Sequence, residues 1–173
     1  LAGPCTETQT RDDTPLFTGE HSRARRGAIP GGHTKNLFLK DRKGRVFLLV
    51  ALEDAEIDLK TLPAIIGCDR LSFARPDLME ALLGVTPGSV TPFGLVNDTA
   101  RRIEVLLDEE MMAVPLLNFH PLRNDATTSI ASADLLRFIA ACGHEPRVIG
   151  AAGARRKEDR PGETRADNGQ RPL

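Results

Sequence analysis

NLFLKDRKGRVFLLV, residues 36–50, carries two runs rich in large apolar side chains, Asn36 to Leu39 and Val46 to Val50, on either side of KDRKGR. Runs this short and continuous suit buried strands, and Gly44 supplies the backbone freedom of a tight turn, so the stretch predicts a β-hairpin. Outward from it the elements stay short. Asp58 precedes a helix with Leu59, Leu62, Ile65 and Ile66 on one face; Pro63 fits only if the helix starts near Thr61, and Gly67 ends it. Pro76 opens a second helix with Leu78, Met79, Leu82 and Leu83 inward and Gly84 as its stop. Strands are expected at Gly94 to Val96, Ile103 to Leu107, Leu116 to Phe119 and Thr127 to Ile130. Ser132 caps a third helix whose Leu135, Leu136, Ile139 and Ala140 repeat on one side before Gly143, and Arg147 to Ile149 reads as a closing strand. Strands and helices do not alternate regularly enough for a doubly wound sheet. The expectation is an α+β fold: a single domain with a curved mixed β-sheet surrounded by short helices.

The two ends differ from this middle. Residues 1–13, LAGPCTETQTRDD, show no periodicity and are expected to form a disordered arm; residues 150–173, polar and rich in Gly and Arg, are expected to form a disordered tail. That leaves 14–149 as the folded domain of a 173-residue chain whose 40% hydrophobic content is enough for one core. A formal net charge of -1 provides no global field for nucleic acid, so an RNA contact has to be a local patch. With no Trp, no Tyr and seven Phe, binding through many stacked aromatics is disfavoured. Cys5, Cys68 and Cys142 are odd in number and far apart, which argues against a disulfide framework or a zinc site and for a reducing compartment. No apolar run is long enough to span a membrane and no signal-peptide core is visible, so the expectation is no membrane partner and a cytoplasmic protein.

Three segments are too polar or too Gly-rich for their surroundings. Pro30-Gly31-Gly32-His33-Thr34-Lys35-Asn36 leads into the first strong strand with imidazole, hydroxyl, ammonium and amide donors in succession; a glycine turn with a solvated lysine is the plain alternative. It is not a P-loop, because the lysine runs into a strand rather than a helix. Gly84 to Gly94 holds three glycines and two prolines, which force a rigid irregular loop with main-chain N–H groups available to an oxygen. Asn118 to Asp125 ends a strand at His120. No GxSxG elbow, paired cysteine or cluster of three metal ligands accompanies them, so a covalent nucleophile is disfavoured and neither metal nor cofactor is expected.

PGGHTKNLFLKD at 30–41, RLSFARPDLMEALLGVTPGSVTPFGLVND at 70–98 and LNFHPLRNDATTSI at 117–130 resemble, in order and register, the YbaK/ProX aminoacyl-tRNA deacylase superfamily, and within it the free-standing prolyl-tRNA editing proteins. The resemblance runs from about Thr14 to Ile149. It implies a metal-free domain that hydrolyses the ester between an amino acid and the terminal adenosine of tRNA, with aminoacylated tRNA as partner and prolyl-tRNA synthetase as a second. The substrate it implies is Ala-tRNA(Pro), with Cys-tRNA(Pro) as the alternative and a non-catalytic binder of the tRNA end or of the synthetase as the other class. Relatives usually begin with an amphipathic helix, which residues 1–13 do not show.

Carried over residue by residue, the family's lysine, amide and histidine fall on Lys35, Asn36 and His120. Its substrate-holding loop falls on Gly88, Ser89, Val90, Thr91, Pro92, Phe93 and Gly94, and Thr34 and Asp98 match further family positions. An aminoacyl ester is already activated, so holding the carbonyl, orienting water and stabilising the oxyanion suffice. The arrangement this requires is Lys35 facing the loop across one small hollow. For RNA, Lys40, Arg42, Lys43 and Arg45 crowd the hairpin turn and Arg23, Arg25 and Arg26 precede the first motif; each patch is equally readable as a solvated surface.

Overall fold

The computed structural model describes residues 8–12, 30–120 and 126–151. In chain order these form β1 (Thr8–Asp12), β2 (Gly32–Asp41), β3 (Val46–Leu52), α1 (Leu62–Ile66), β4 (Leu71–Phe73), α2 (Pro76–Leu83) and a 3-10 helix (Pro92–Asn97). β5 (Ile103–Asp108), α3 (Glu109–Met112), β6 (Leu116–Phe119), β7 (Ala126–Ala131), α4 (Ser132–Ala141) and β8 (Arg147–Ile149) follow.

The hairpin is the centre of the sheet. β2 and β3 pair antiparallel from Thr34↔Leu52 to Lys40↔Val46. Their turn is organised by Asp41, whose Oδ1 accepts the N–H groups of Lys43 and Arg45, each at 2.9 Å. β5 adds to β3 in parallel and β8 to β5; on the other side β6 joins β2 in parallel, then β7 and β1 follow antiparallel. The order is β1-β7-β6-β2-β3-β5-β8, with β4 paired to the end of β2, an eight-stranded mixed sheet.

Side chains alternate across a strand, so this sheet feeds two cores. Phe38, Leu48 and Val50 face a first cluster with Leu82 and Leu83 of α2, Leu117 and Phe119 of β6, and Leu135 and Ile139 of α4. Leu39, Phe47 and Leu49 face a second, closed by Leu62 and Ile66 of α1, Leu71 and Ile149. The α+β expectation holds, with one mixed sheet and short helices.

Several local expectations do not hold. Thr8–Asp12, expected within a disordered arm, form an edge strand on β7, joined by the Thr10 and Thr128 hydroxyls 2.7 Å apart. This strand gains main-chain bonds and polar pairs rather than buried apolar area, so it leaves no hydrophobic alternation to read. Gly94–Val96, expected as a strand, lies inside the 3-10 helix because Pro92 fixes the first helical position and Thr91 Oγ1 accepts the Phe93 N–H. Ala131, not Ser132, occupies the N-cap of α4, and the Ser132 N–H goes to Pro115 O at 3.0 Å. Ile65 and Ala140, expected inward, are exposed, and α3 had no signal. Ala151 is buried in the second cluster with its N–H on Asp108 Oδ1 at 3.0 Å, so packing continues past the expected boundary at 149. The rest of the expected tail, 152–173, and residues 1–7 and 13–29, with Cys5, Arg23, Arg25 and Arg26, lie outside the described residues.

Candidate active site

Thr34, Lys35 and Asn36 sit where the sheet is interrupted. One edge of β2 pairs with β3 along most of its length. Its other edge pairs with β6 only at Gly32 and His33, and with β4 only from Leu39 to Asp41. Thr34 Oγ1 closes one end of the interval by donating to Asn118 O at 2.7 Å, and the Ala74 N–H closes the other on Phe38 O at 2.9 Å. From Lys35 to Leu37 no strand among the described residues pairs with that edge, an opening about 10 Å long at the rise of a strand.

On one side of the opening are Asn36 and the Gly-rich loop. Asn36 pairs with Val50, whose side chain belongs to the first cluster, and Asn36 Oδ1 is buried with no hydrogen-bond partner among the described residues. Val90 and Phe93 of the loop pack on the same cluster. The Phe93 ring meets Phe119 and Phe138 edge-on, with centroids 5.9 and 5.3 Å apart, and holds the loop between β6 and α4. Ser89 and Thr91 side chains, Pro92 and Gly94 are buried and build the loop. Gly88, at φ 90°, lets the chain reverse where other residues would be strained. Ser89 and Gly94 donate their N–H groups to Thr86 O and Thr91 O. Those of Gly88, Val90 and Thr91 find no acceptor among the described residues. A loop that keeps main-chain donors unspent can hold a carbonyl oxygen and the negative charge that develops on it.

Lys35 is on the opposite face. It pairs with Ala51, lies on the side of Leu37 and Leu39, and its ammonium donates to Ala55 O. The expected arrangement, Lys35 facing the loop across one hollow, is therefore not what the strand builds: alternation puts Asn36 on the face where the loop packs and Lys35 on the other. His120, one residue beyond β6, follows the parity of Asn118, which pairs with His33, so His120 shares the face of Lys35. Its Nδ1 is 3.0 Å from Ala126 O; a carbonyl only accepts, so Nδ1 is the donor in this contact.

The remaining candidates divide. Asp98, expected near the substrate, is buried, and its carboxylate accepts the N–H groups of Arg102 and Ile103 at 3.1 and 2.8 Å, a structural role. Arg45, expected on RNA, holds both Glu104 oxygens at 2.8 Å, donates to Gly67 O and lies over the Phe47 ring. The hydrogen bonds to Glu104 raise its pKa further above the ordinary arginine value. Arg42 and Lys43 are exposed at the hairpin turn and Lys40 is half-buried. Asn118, which the sequence offered only as part of a strand end, proves to be a tether: its Nδ2 donates to Pro30 O at 3.1 Å and its Oδ1 accepts from Ser129 Oγ. Burial pushes the Cys68 and Cys142 thiols up from their usual pKa, which keeps them protonated packing residues rather than nucleophiles. Among the described residues no group of three His, Cys, Asp or Glu side chains could hold a metal ion, and no helix is long and apolar enough to cross a membrane.

Comparison with known proteins identifies the family and the fold. A family model described as an aminoacyl-tRNA editing domain matches residues 15–138. The prolyl-tRNA editing protein ProX of Acetoanaerobium sticklandii is 41% identical over 116 residues, covering 66% of this chain and 71% of that one. Prolyl-tRNA synthetase associated domain-containing protein 1 of Danio rerio is 37% identical over 145 residues, covering 83% and 79%. A solved structure described as a candidate trans-editing enzyme for prolyl tRNA synthetase superposes with a TM-score of 0.64 at 20% identity, over 82% of this chain and 85% of that one, which speaks to the fold. With its sheet, its three motifs and a family match over most of its length, this chain belongs to the aminoacyl-tRNA editing domain family.

Proposed function

We propose that this protein is an aminoacyl-tRNA deacylase that edits mischarged tRNA(Pro) in trans, with alanine as the amino acid it removes. The family match and the ProX relative support editing of mischarged tRNA(Pro). The observation that carries a mechanism is the interrupted edge of β2, with the orphaned Asn36 Oδ1 on the face where a loop packs that keeps the Gly88, Val90 and Thr91 N–H groups unspent.

The aminoacyl ester enters the opening with its carbonyl oxygen toward the loop. Water adds to the carbonyl carbon, the loop N–H groups receive the charge that builds on oxygen, and the carbon–oxygen bond to the ribose breaks as the ribose oxygen takes a proton. Asn36 Oδ1 accepts from the α-ammonium or from the attacking water. The neighbouring ribose hydroxyl helps activate that water, which accounts for a site with no dedicated carboxylate base. Lys35, from the other face, exchanges the Ala55 carbonyl for a phosphate oxygen of the terminal nucleotide. Discrimination is by exclusion, because about 1 to 3 kcal/mol per methylene is too little for attraction alone; a loop pinned by Phe93 leaves room for alanine and collides with the proline ring.

The test follows release of labelled amino acid from Ala-, Cys- and Pro-tRNA(Pro) with wild type, Asn36→Ala and Lys35→Ala. Alanine is expected to be released fastest and proline slowest, and each variant to lose about 100-fold in kcat/KM. Equal rates on alanine and proline would end the sieve, preference for cysteine would move the substrate, and tRNA binding without turnover would make the protein a binder. Full activity of both variants would remove β2 from the site. The name of the Danio rerio relative favours association with prolyl-tRNA synthetase as a second partnership, which co-elution of the two purified proteins checks.

A further inference from the structure

The residues that end the loop segment are tied to α4 through a buried histidine that the editing chemistry does not use. His144, just beyond α4, is 6% exposed, and its Nε2 lies 3.5 Å from Oδ2 of Asp98, which is 2% exposed. That separation is long for a hydrogen bond, and Nε2 has no other partner among the described residues. Asp98 closes the 3-10 helix, its N–H on Leu95 O at 3.1 Å, while its carboxylate holds the start of β5. A second oddity sits at the same junction. Arg101 has φ 54°, rare for a non-glycine residue, and its guanidinium lies against Gly143, where a Cβ would come within 2.5 Å of Nε. A strained backbone and an under-satisfied buried nitrogen persist only where the surroundings over-determine them, and such features cluster at functional sites.

We infer that His144 is a positioning residue, a latch that through Asp98 fixes the Pro92–Asn97 segment, and with it the Gly88–Gly94 loop, against α4. The segment is then gripped twice, by Phe138 of α4 on Phe93 and by His144, in the turn beyond α4, on Asp98 at the end of the 3-10 helix. The two grips together set where the loop N–H groups stand. The charged groups that neighbour the latch in the chain are Arg101 and Arg102, which follow Asp98, and Glu145, which follows His144; the Arg101 guanidinium also reaches Gly143. The consequence for selectivity rests on the editing function proposed above; the structural part does not.

The latch is tested by amide hydrogen exchange and by deacylation on the full chain. His144→Phe keeps the ring and removes the donor, His144→Gln keeps a donor at the distance of Nε2, and Asp98→Asn weakens the other side. Residues 88–97 of H144F should exchange about tenfold faster while β2 and β3 keep their protection, the effect of one contact between neighbouring groups. H144Q should stay within about twofold of wild type, and the D98N/H144F double variant should be no looser than the looser single variant. The Ala- to Pro-tRNA(Pro) ratio of kcat/KM should fall at least about threefold in H144F and recover in H144Q. Unchanged exchange at 88–97 in H144F, a Gln variant as loose as Phe, or additive loosening in the double variant would each overturn the latch. A wild-type protein without deacylase activity would overturn the editing function instead, and the exchange measurement would still decide the latch. If H144F does not fold, the H144Q and D98N exchange profiles carry the decision: loosening in D98N with protection kept in H144Q supports the latch, and any other pair of results sinks it.

Discussion

Asp41 shows how one carboxylate holds the hairpin on which the site is built. Burial pushes its pKa up, but the Arg45, Asp69 and Lys43 N–H groups and the charge of Arg45 outweigh it and hold the carboxyl below its usual value. A carboxylate whose pKa is lowered by folding stabilises the protein above the unfolded-state value, and that contribution is lost as pH falls through the folded-state value. Asp41→Asn is therefore expected to cost about 2 kcal/mol at neutral pH by urea unfolding. The gap from wild type should stay constant from about pH 8 down to about pH 5 and narrow below about pH 4. A gap that widens on acidification would mean that the charge of Asp41 does not stabilise the fold. Arg45 makes the same point from the other sign: fastened to Glu104 and laid on Phe47, it belongs to the hairpin's structure, and only its neighbours Arg42 and Lys43 remain exposed at the turn.

At the level of elements, the 3-10 helix is where local sequence and outcome differ most. Gly94 could be a flexible connector by composition, yet a Cβ there would stand 3.0 Å from Leu83 O and 3.1 Å from the Leu83 side chain, so its function is close approach to α2. Gly94→Ala should cost about 1 to 3 kcal/mol in a urea titration and loosen the loop before it unfolds the sheet. A neutral substitution would show that the loop is not seated on α2. The Asn97 side chain reinforces the contact by donating to Leu83 O at 2.8 Å. Three interactions with α2 and α4 thus convert a Gly/Pro-rich stretch into a rigid wall.

Over the whole molecule, the central hairpin serves both cores at once. Leu48 is fully buried on β3 between β2 and β5, facing the first cluster. Leu48→Ala is expected to cost about 3 kcal/mol. For a domain of this size that lowers Tm by about 10 °C. Val96, 50% exposed, should tolerate Ala within about 0.5 kcal/mol. Comparable losses at the two positions by calorimetry would contradict the division into a packed centre and a solvated rim. Because β3 pairs in parallel with a strand more than fifty residues away, the sheet closes only when distant segments meet.

The sequence alone determined the central hairpin, the helices ended by Gly67 and Gly84 and the strands at 103–107, 116–119 and 147–149. These are written in short-range signals: continuous apolar runs, proline at a helix start, glycine at its end. The tertiary structure decided what those signals do not contain. β1 is a strand because β7 offers it an edge, not because of its own side chains. Lys35 and Asn36 part to opposite faces because β2 is extended there, and the edge they share stays unpaired because β6 and β4 stop short of each other along it. Asp98 looks like a site residue and is a tether because its carboxylate accepts the N–H groups that start β5, while His144, forty-six positions later, packs beside it. Contacts between distant segments carry no local pattern, so only the assembled sheet could reveal them.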